Sequence, residues 1–239
     1  MKTTSTPSLD SLIDRQVRLW EVRGRLAEVG GAAARRQLSH LEQGPFLTVS
    51  RQFGSGGGAF ARQVADSLGW QVYDRAILRD IAEHHHLRER VVRRLDERAI
   101  GWISEWVNHL LAPESLPQAA FAKDVSEIVC AVGRQGNAVI VGRGANWLVD
   151  PRFGIRTRVI APLENRIETV RRIEAVDESV AASKIRAHDE DTERYIRRTF
   201  GRAIDDPLGY DLVLNTAHLD VDDAVALVHD ALRRKLGGI

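Results

Sequence analysis

The sequence has a single cysteine, little lysine and almost no net charge. Because Cys130 is the only cysteine among 239 residues, the chain can form neither an internal disulfide nor a zinc site built from several cysteines. The 34 basic and 33 acidic side chains leave a net charge of +1, which argues against nucleic acid as a partner. No apolar run reaches the roughly 18 residues of a membrane span. These absences predict a cytoplasmic protein with no nucleic-acid or membrane partner.

The first 44 residues differ in character from the rest of the chain. Apolar side chains recur there at helical spacing, at Leu9, Ile13, Val17 and Trp20. Gly30 and Gly31 follow as a natural helix stop. We therefore predict an N-terminal helical extension over residues 1–44 and a main domain over residues 45–239. The extension is expected to pack on the main domain or to form a homodimer contact.

From Phe46 onward, short apolar runs alternate with helical stretches, a pattern typical of parallel β/α units. Strands are predicted at residues 46–50, 71–73, 138–141, 155–160 and 212–214. Helices are predicted at residues 60–68, 121–134, 163–175, 178–202 and 221–236, with a long helical region at 75–111. The pattern predicts an α/β fold.

A glycine-rich loop, residues 54–59, joins the first predicted strand to the first predicted helix. Its residues are Gly54, Ser55, Gly56, Gly57, Gly58 and Ala59. Glycine allows positive φ and a close approach of the backbone to an anion, and the N–H groups that begin a helix bind phosphate. The loop is therefore predicted to hold the phosphates of a nucleotide. The alternative is a tight turn without a ligand.

The glycine-rich loop departs from the P-loop pattern G-x-x-x-x-G-K-[ST]. Arg51 stands at the first glycine, Gly57 at the lysine and Gly58 at the hydroxyl residue. The lysines of the chain are all distant in sequence, at Lys2, Lys123, Lys184 and Lys235. Arg51 and Arg62 are the candidate replacement cations. Ser55 carries the only hydroxyl group of the loop and is the candidate metal ligand.

Arginines also follow two further predicted strands. Asp74 and Arg75 come after the strand at 71–73, and Arg79 lies one helical turn beyond Arg75. Two guanidinium groups on one helix face can grip a phosphate. Arg143 follows the strand at 138–141, at the sheet edge where open α/β folds bind ligands. These residues are predicted to bind substrate. The alternatives are that Asp74 is a helix N-cap and Arg143 a surface residue.

Four ordered motifs resemble the cytidylate-kinase-like family. They are TVSRQFGSGG at 48–57, YDRAIL at 73–78, VIVGRGAN at 139–146 and DPLGYDLVLNT at 206–216. The resemblance covers roughly residues 46 to 236. It implies a P-loop nucleoside monophosphate kinase fold, with a five-stranded parallel sheet flanked by helices. It also implies a helical acceptor-binding insert at about 75–117 and a lid at about 178–203.

The resemblance further implies an ATP-dependent phosphotransferase that uses Mg²⁺. The γ-phosphate would pass to a nucleoside monophosphate or another small acceptor. Asp191 and Arg194 match an acceptor-contacting Asp-x-x-Arg pair in the kinase lid, and together with Arg51 they are the candidate catalytic residues. A plainer interpretation is that these charges pair within an exposed helix. Cytidylate kinase has an aspartate on each side of its Gly-Arg pair, where this chain has Val141 and Gly144.

The missing loop lysine leaves two further hypotheses open. The chain could be a pseudokinase that senses nucleotide without transferring phosphate, or a P-loop scaffold that has lost its nucleotide. Restoring lysine at Gly57 is expected to be gainful or neutral only if the loop keeps P-loop geometry. Cys130 is expected to be a buried small apolar residue.

Overall fold

A computed structural model describes residues 44–237 except 93–94, 96 and 112–116. The predicted N-terminal extension lies outside the described residues, apart from Gly44. The predicted homodimer contact through it therefore stays a prediction. None of the helices in the described part of the chain has the length and apolarity needed to cross a bilayer.

A five-stranded parallel sheet forms the centre of the fold, in the order β2-β3-β1-β4-β5. The strands are β1 (Phe46–Arg51), β2 (Gln71–Tyr73), β3 (Ala138–Val141), β4 (Gly154–Ile160) and β5 (Leu212–Asn215). The predicted α/β class and the five-stranded parallel sheet are confirmed.

Helices connect the strands and cover the sheet. They are α1 (Gly57–Leu68), α2 (Arg75–Glu83), α3 (His85–Val92), α4 (Glu97–Leu110), α5 (Pro117–Gln135), α6 (Ala145–Leu148), α7 (Leu163–Glu174), α8 (Glu178–Phe200) and α9 (Val221–Leu236). Short 3-10 turns lie at Pro151–Phe153 and Pro207–Gly209. Asp220 caps α9 as a side-chain acceptor for the N–H of Asp223.

The predicted helical region at 75–111 consists of separate helices, α2, α3 and α4. The first break falls at His84, whose backbone is extended (φ −112°, ψ 105°). Pro117 opens α5, four residues before the predicted start of that helix at 121. Proline is well suited to a first helical turn, because the N–H that it lacks would have no partner there.

Alternate residues of the central strands enter two different cores. Phe46 and Ile140 pack among the helices of residues 75–135, while Leu47 and Val139 pack against α1 and α9. This alternation follows from the two-residue period of a strand, and both faces are apolar because helices cover both. Cys130 is buried in the first core as predicted. The sheet is thus held rigidly from both sides, and its carboxyl edge carries the loops that form the candidate site.

Candidate active site

The glycine-rich loop leads from β1 into α1 through left-handed backbone. Gly54 has φ +83° and Gly56, the N-cap of α1, has φ +77°, with no side chain capping the helix. In the described part of the chain, no acceptor takes the backbone N–H of Gly54, Gly56, Gly57 or Gly58. A helix start with a row of free donors is suited to binding an anion. Phosphate binding by the loop stays a prediction.

Ser55 faces inward, away from that row of donors. Its side chain is almost fully buried, and its Oγ lies 2.8 Å from the carbonyl oxygen of Gln52 and 3.2 Å from that of Val159. Thr216 donates in turn to the carbonyl oxygen of Ser55 at 2.8 Å. In this conformation Ser55 fastens the loop to β4 and to the end of β5. Its predicted role as a metal ligand would require the hydroxyl to rotate outward, and stays a prediction.

Helices α7 and α8, the latter within the predicted lid, lie directly on the loop. The Nη1 of Arg166 is 2.6 Å from Asp189 Oδ2 and 3.4 Å from the carbonyl oxygen of Phe53. The rings of Phe53 and His188 stack with centroids 4.2 Å apart. A Cβ added at Gly54 would lie 2.8 Å from the carbonyl oxygen of Arg166. Glycine at 54 is therefore required both by its positive φ and by the closeness of α7.

A cavity of about 890 Å³ opens beside the loop at the carboxyl edge of the sheet. We call it the arginine cavity because of the guanidinium groups that line it, from Arg51, Arg75, Arg79, Arg143, Arg194 and Arg198. The acids along its wall are Glu83 and Asp191. Apolar side chains of Leu111, Phe121 and Val125 form another part of the wall. The cavity thus combines an excess of positive charge with an apolar surface.

Arg143 is held in an unusual backbone conformation. Its φ is +55°, between Gly142 and Gly144 with φ of +77° and +67°. Its Cζ lies 5.5 Å from the ring centroid of Tyr195, and its Nε is buried without a hydrogen-bond partner. Burial lowers the pKa of Arg143, Tyr195 opposes that shift, and Arg75 adds to it. Two arginines that repel each other in one cavity favour a bound anion.

The other predicted substrate residues divide into two groups. Arg75 and Arg79 line the arginine cavity, and Arg79 makes only long contacts, 3.7 Å to Asp80 and 3.9 Å to Glu83. Asp74 does not line it. Its Oδ1 instead accepts from the N–H groups of Ala76 and Ile77 at 2.9 and 3.0 Å. The N-cap interpretation of Asp74 is confirmed.

Asp191 and Arg194 reach the arginine cavity from α8. Arg194 Nη1 lies 2.9 Å from Asp191 Oδ1, and both side chains are exposed. The pair is therefore the local i,i+3 charge pair of the plainer interpretation, and it also faces the cavity. Its predicted catalytic role stays a prediction.

Sequence reasoning missed Tyr195, Arg166 and the ring stack of Phe53 on His188. Each becomes notable only through a distant partner: Tyr195 through Arg143, and Arg166 through the backbone of the loop. An arginine or tyrosine in a highly charged helix carries no local signal that separates it from its neighbours. Phe53 alone carries such a signal, because an aromatic residue directly before a glycine-rich loop is conspicuous.

Comparisons with known proteins agree with this geometry. The model of the cytidylate kinase-like family matches residues 46–218. A cytidylate kinase of Methanocaldococcus jannaschii is 30% identical over 42% of this chain and 58% of its own length. One from Thermococcus kodakarensis is 25% identical over 78% of this chain and 86% of its own.

A solved structure supports the fold separately. It is that of an uncharacterized protein from Eubacterium ventriosum, 20% identical, with a TM-score of 0.61 over 79% of this chain and 98% of its own. The five-stranded parallel sheet flanked by helices, with a glycine-rich connection from β1 to α1, is the P-loop kinase type of α/β fold. Within that class, the chain belongs to the cytidylate kinase-like family.

Proposed function

We propose that the protein is a phosphotransferase that moves the γ-phosphate of ATP to a nucleoside monophosphate or another small phosphate-bearing acceptor. One observation carries this proposal: Ser50, Arg51 and Phe53, which directly precede the glycine-rich loop in the chain, line the arginine cavity. Donor and acceptor phosphates would thus meet at one sheet edge. The named activity of the relatives, cytidylate kinase, supports the same reaction type.

The acceptor phosphate fits the arginine cavity by charge. Arg75 and Arg143 make no salt bridge within the described chain. Beside the larger effect of burial, the charge of Arg75 acts to lower the pKa of both Arg143 and its neighbour Tyr195, so the two arginines lie near each other. Unpaired guanidinium groups bind phosphate bidentately, with geometric specificity that a lysine lacks. The cavity is therefore prepared for an anionic acceptor rather than a neutral one.

The donor polyphosphate fits the glycine-rich loop through backbone N–H groups. Bound ATP would supply the transferable phosphoryl group. Magnesium fits the protein less well: the described residues contain no group of three or more His, Cys, Asp or Glu side chains able to hold a metal. Mg²⁺ in kinases is bound largely by substrate phosphates and water, so the predicted cofactor would depend on the nucleotide for its ligands.

The protein's own contribution would be alignment and charge. Phosphoryl transfer needs little covalent chemistry from the enzyme, and the main requirements are positioning and electrostatic stabilisation. Arg143 and Arg75 would orient the acceptor, and Arg51 would face the reacting phosphates. Arg194, on α8, would add positive charge to the wall of the cavity. The packing of α7 and α8 on the loop would exclude water.

Two positions argue against cytidine as the acceptor's base. Val141 is buried in the second core, with 2% exposure. At Gly144 a Cβ atom would collide with the ring of Phe200, the last residue of α8. An aspartate at 144 therefore has no room in this arrangement, which gives a physical reason for its absence. The proposal names the phosphate-bearing class of acceptor and not CMP itself.

A coupled ADP-release assay tests the proposal directly. ATP and Mg²⁺ would be supplied with a panel of nucleoside monophosphates, and ADP release is expected with at least one of them. Arg233→Ala on the exposed side of α9 is a charge-matched control that should leave the rate unchanged. ATP binding without turnover on any acceptor would reject the enzyme and favour the second candidate below.

The second candidate is a nucleotide-binding pseudokinase. It is favoured by one observation: Gly57 stands at the lysine position while the Ser55 hydroxyl is turned inward. Such a protein should bind ATP and change its shape or oligomeric state without consuming it. Small-angle scattering with ATP and with a non-hydrolysable analogue would give equal, stable changes for a sensor. For an enzyme supplied with its acceptor, the ATP-induced change would decay with turnover.

A further inference from the structure

Two departures of the loop from the P-loop pattern occupy positions that touch each other. The standard pattern has glycine at the position of Arg51 and lysine at that of Gly57. In this chain the first position carries a long side chain and the second is glycine. A Cβ added at Gly57 would lie 2.7 Å from Cβ and 3.2 Å from Cδ of Arg51. Cβ atoms do not approach so closely in a packed interior. In this backbone conformation, only one of the two positions can carry a side chain.

We propose that the two departures are a single exchange, in which Arg51 supplies the phosphate-facing cation that the loop lysine supplies in a standard P-loop. Gly57 is then glycine because the stem of Arg51 occupies the room. This inference rests on the proposed function, since a phosphate-facing cation matters only if the loop binds polyphosphate. It goes further by assigning the replacement charge to one residue and by tying that residue to Gly57.

Arg51 has the surroundings that this role needs. It is the last residue of β1, and it lines the arginine cavity where that cavity meets the loop. Within the described chain its guanidinium makes no hydrogen bond or salt bridge. Burial lowers the pKa of Arg51, and the nearby charge of Asp74 partly opposes the shift. Arg51 is the one exposed residue of β1, so its unpaired guanidinium is accessible to an incoming anion and can bind it through charge-assisted hydrogen bonds.

Arg62 is the rival candidate, and sterics separate the two. The Nη1 of Arg62 lies 3.8 Å from where a Cβ at Gly58 would be, so Arg62 leaves that position open. Arg62 therefore gives no reason for any glycine in the loop, whereas Arg51 accounts for Gly57. The expectation that a lysine at Gly57 alone is gainful or neutral does not hold in this arrangement, because the Cβ of Arg51, at 2.7 Å, obstructs the new Cβ. Val159, at 3.2 Å, is a tight contact that a shift of a few tenths of an ångström relieves.

A double-mutant cycle tests the exchange. The variants are Arg51→Gly, Gly57→Lys and both together, compared with wild type by thermal unfolding without ligand and by calorimetric titration with a non-hydrolysable ATP analogue. Glycine is needed at 51, because alanine would keep the obstructing Cβ. Gly57→Lys should lower the midpoint of unfolding, and Arg51→Gly should weaken binding at least tenfold. The double variant should recover the unfolding midpoint and bind within a few-fold of wild type.

Each outcome decides the matter. If the double variant unfolds at the same or a lower temperature than Gly57→Lys, or is not folded, the steric exchange is wrong. If wild type binds the analogue and Arg51→Gly binds it equally well, or Arg62→Ala is the variant that loses binding, the assignment to Arg51 is wrong while the proposed function stands. If wild type binds no analogue, the proposed function fails, and with it the phosphate-facing role. The unfolding midpoints would still report on the steric coupling in that case.

Discussion

The glycine-rich loop and the arginine cavity lie near each other but offer an anion opposite kinds of group. The loop offers backbone N–H groups and has almost no side chains, while the cavity offers guanidinium groups carried on long side chains. A backbone site should therefore be sensitive to a Cβ added where φ is positive or where space is lacking. A side-chain site should be sensitive to charge and tolerant of shape. Different substitutions are therefore expected to disable each half of the candidate site.

The largest effect is expected from crowding the loop. Gly54→Ala should lower the free energy of unfolding by about 3 kcal/mol, because it combines left-handed strain with overpacking against α7. Gly56→Ala is the matched control. It has a similar positive φ but open space around its Cβ, so about 1 kcal/mol is expected from strain alone. Urea denaturation measures both, and equal losses would show that α7 does not constrain the loop.

The next effect concerns charge in the cavity. Arg143→Ala should raise the KM for the acceptor about 30-fold, or about 2 kcal/mol, since it removes charge-assisted hydrogen bonds. The free energy of unfolding should change much less, because the Arg143 side chain makes no salt bridge within the described chain. Steady-state kinetics and denaturation on the same preparations test this. A large loss of stability with unchanged KM would mean that Arg143 is structural.

Alanine at two adjacent glycines at the start of α1 is expected to change the stability of the fold in opposite directions. Gly57→Ala should destabilise the fold by about 1.5 kcal/mol, because its Cβ would meet Arg51. Gly58→Ala should stabilise it by about 0.5 kcal/mol, since its Cβ has room and alanine is the better helix former. Thermal unfolding of both variants is sufficient. If both stabilise the fold, the loop and Arg51 are not packed together as described.

The smallest expected effect concerns an ion pair outside both regions, between Asp211 and Arg156. Asp211 accepts from the backbone N–H of Arg156 at 2.9 Å and from its Nη2 at 3.1 Å. Burial alone raises the pKa of Asp211, but these hydrogen bonds outweigh it and the pKa is lowered. Because the folded-state pKa is below the unfolded one, the carboxylate stabilises the fold above the unfolded value, and this stability is lost as the pH falls through the folded value.

Asp211→Asn should therefore cost at most about 1 kcal/mol at pH 7, allowing for solvent screening. The gap to wild type should close as the pH falls below about 4, the ordinary pKa of an aspartate. Denaturation at several pH values measures this gap. A gap that is constant with pH would mean that Asp211 stabilises the fold as a neutral hydrogen-bond acceptor and not as a charge.

Much of the fold could be predicted from local patterns. The strands at 71–73 and 138–141 and the helix at 221–236 have the predicted bounds, because their apolar periodicity and caps are local signals. The breaks between α2, α3 and α4 were not predictable in this way. His84 ends α2 without a glycine or proline, so the break depends on packing and not on local propensity.

The features of the candidate site likewise divide into those that local sequence patterns predict and those that depend on packing. Residue types and their order alone show that glycines begin the first core helix, that arginines lie at or just after the ends of β1, β2 and β3, and that the loop lacks its lysine. That Asp74 caps a helix, that Ser55 faces inward and that Arg51 fills the space above Gly57 follow from the packing of the folded chain. Those outcomes depend on ångström-scale distances between residues brought together by the sheet, and no periodicity or motif encodes such distances.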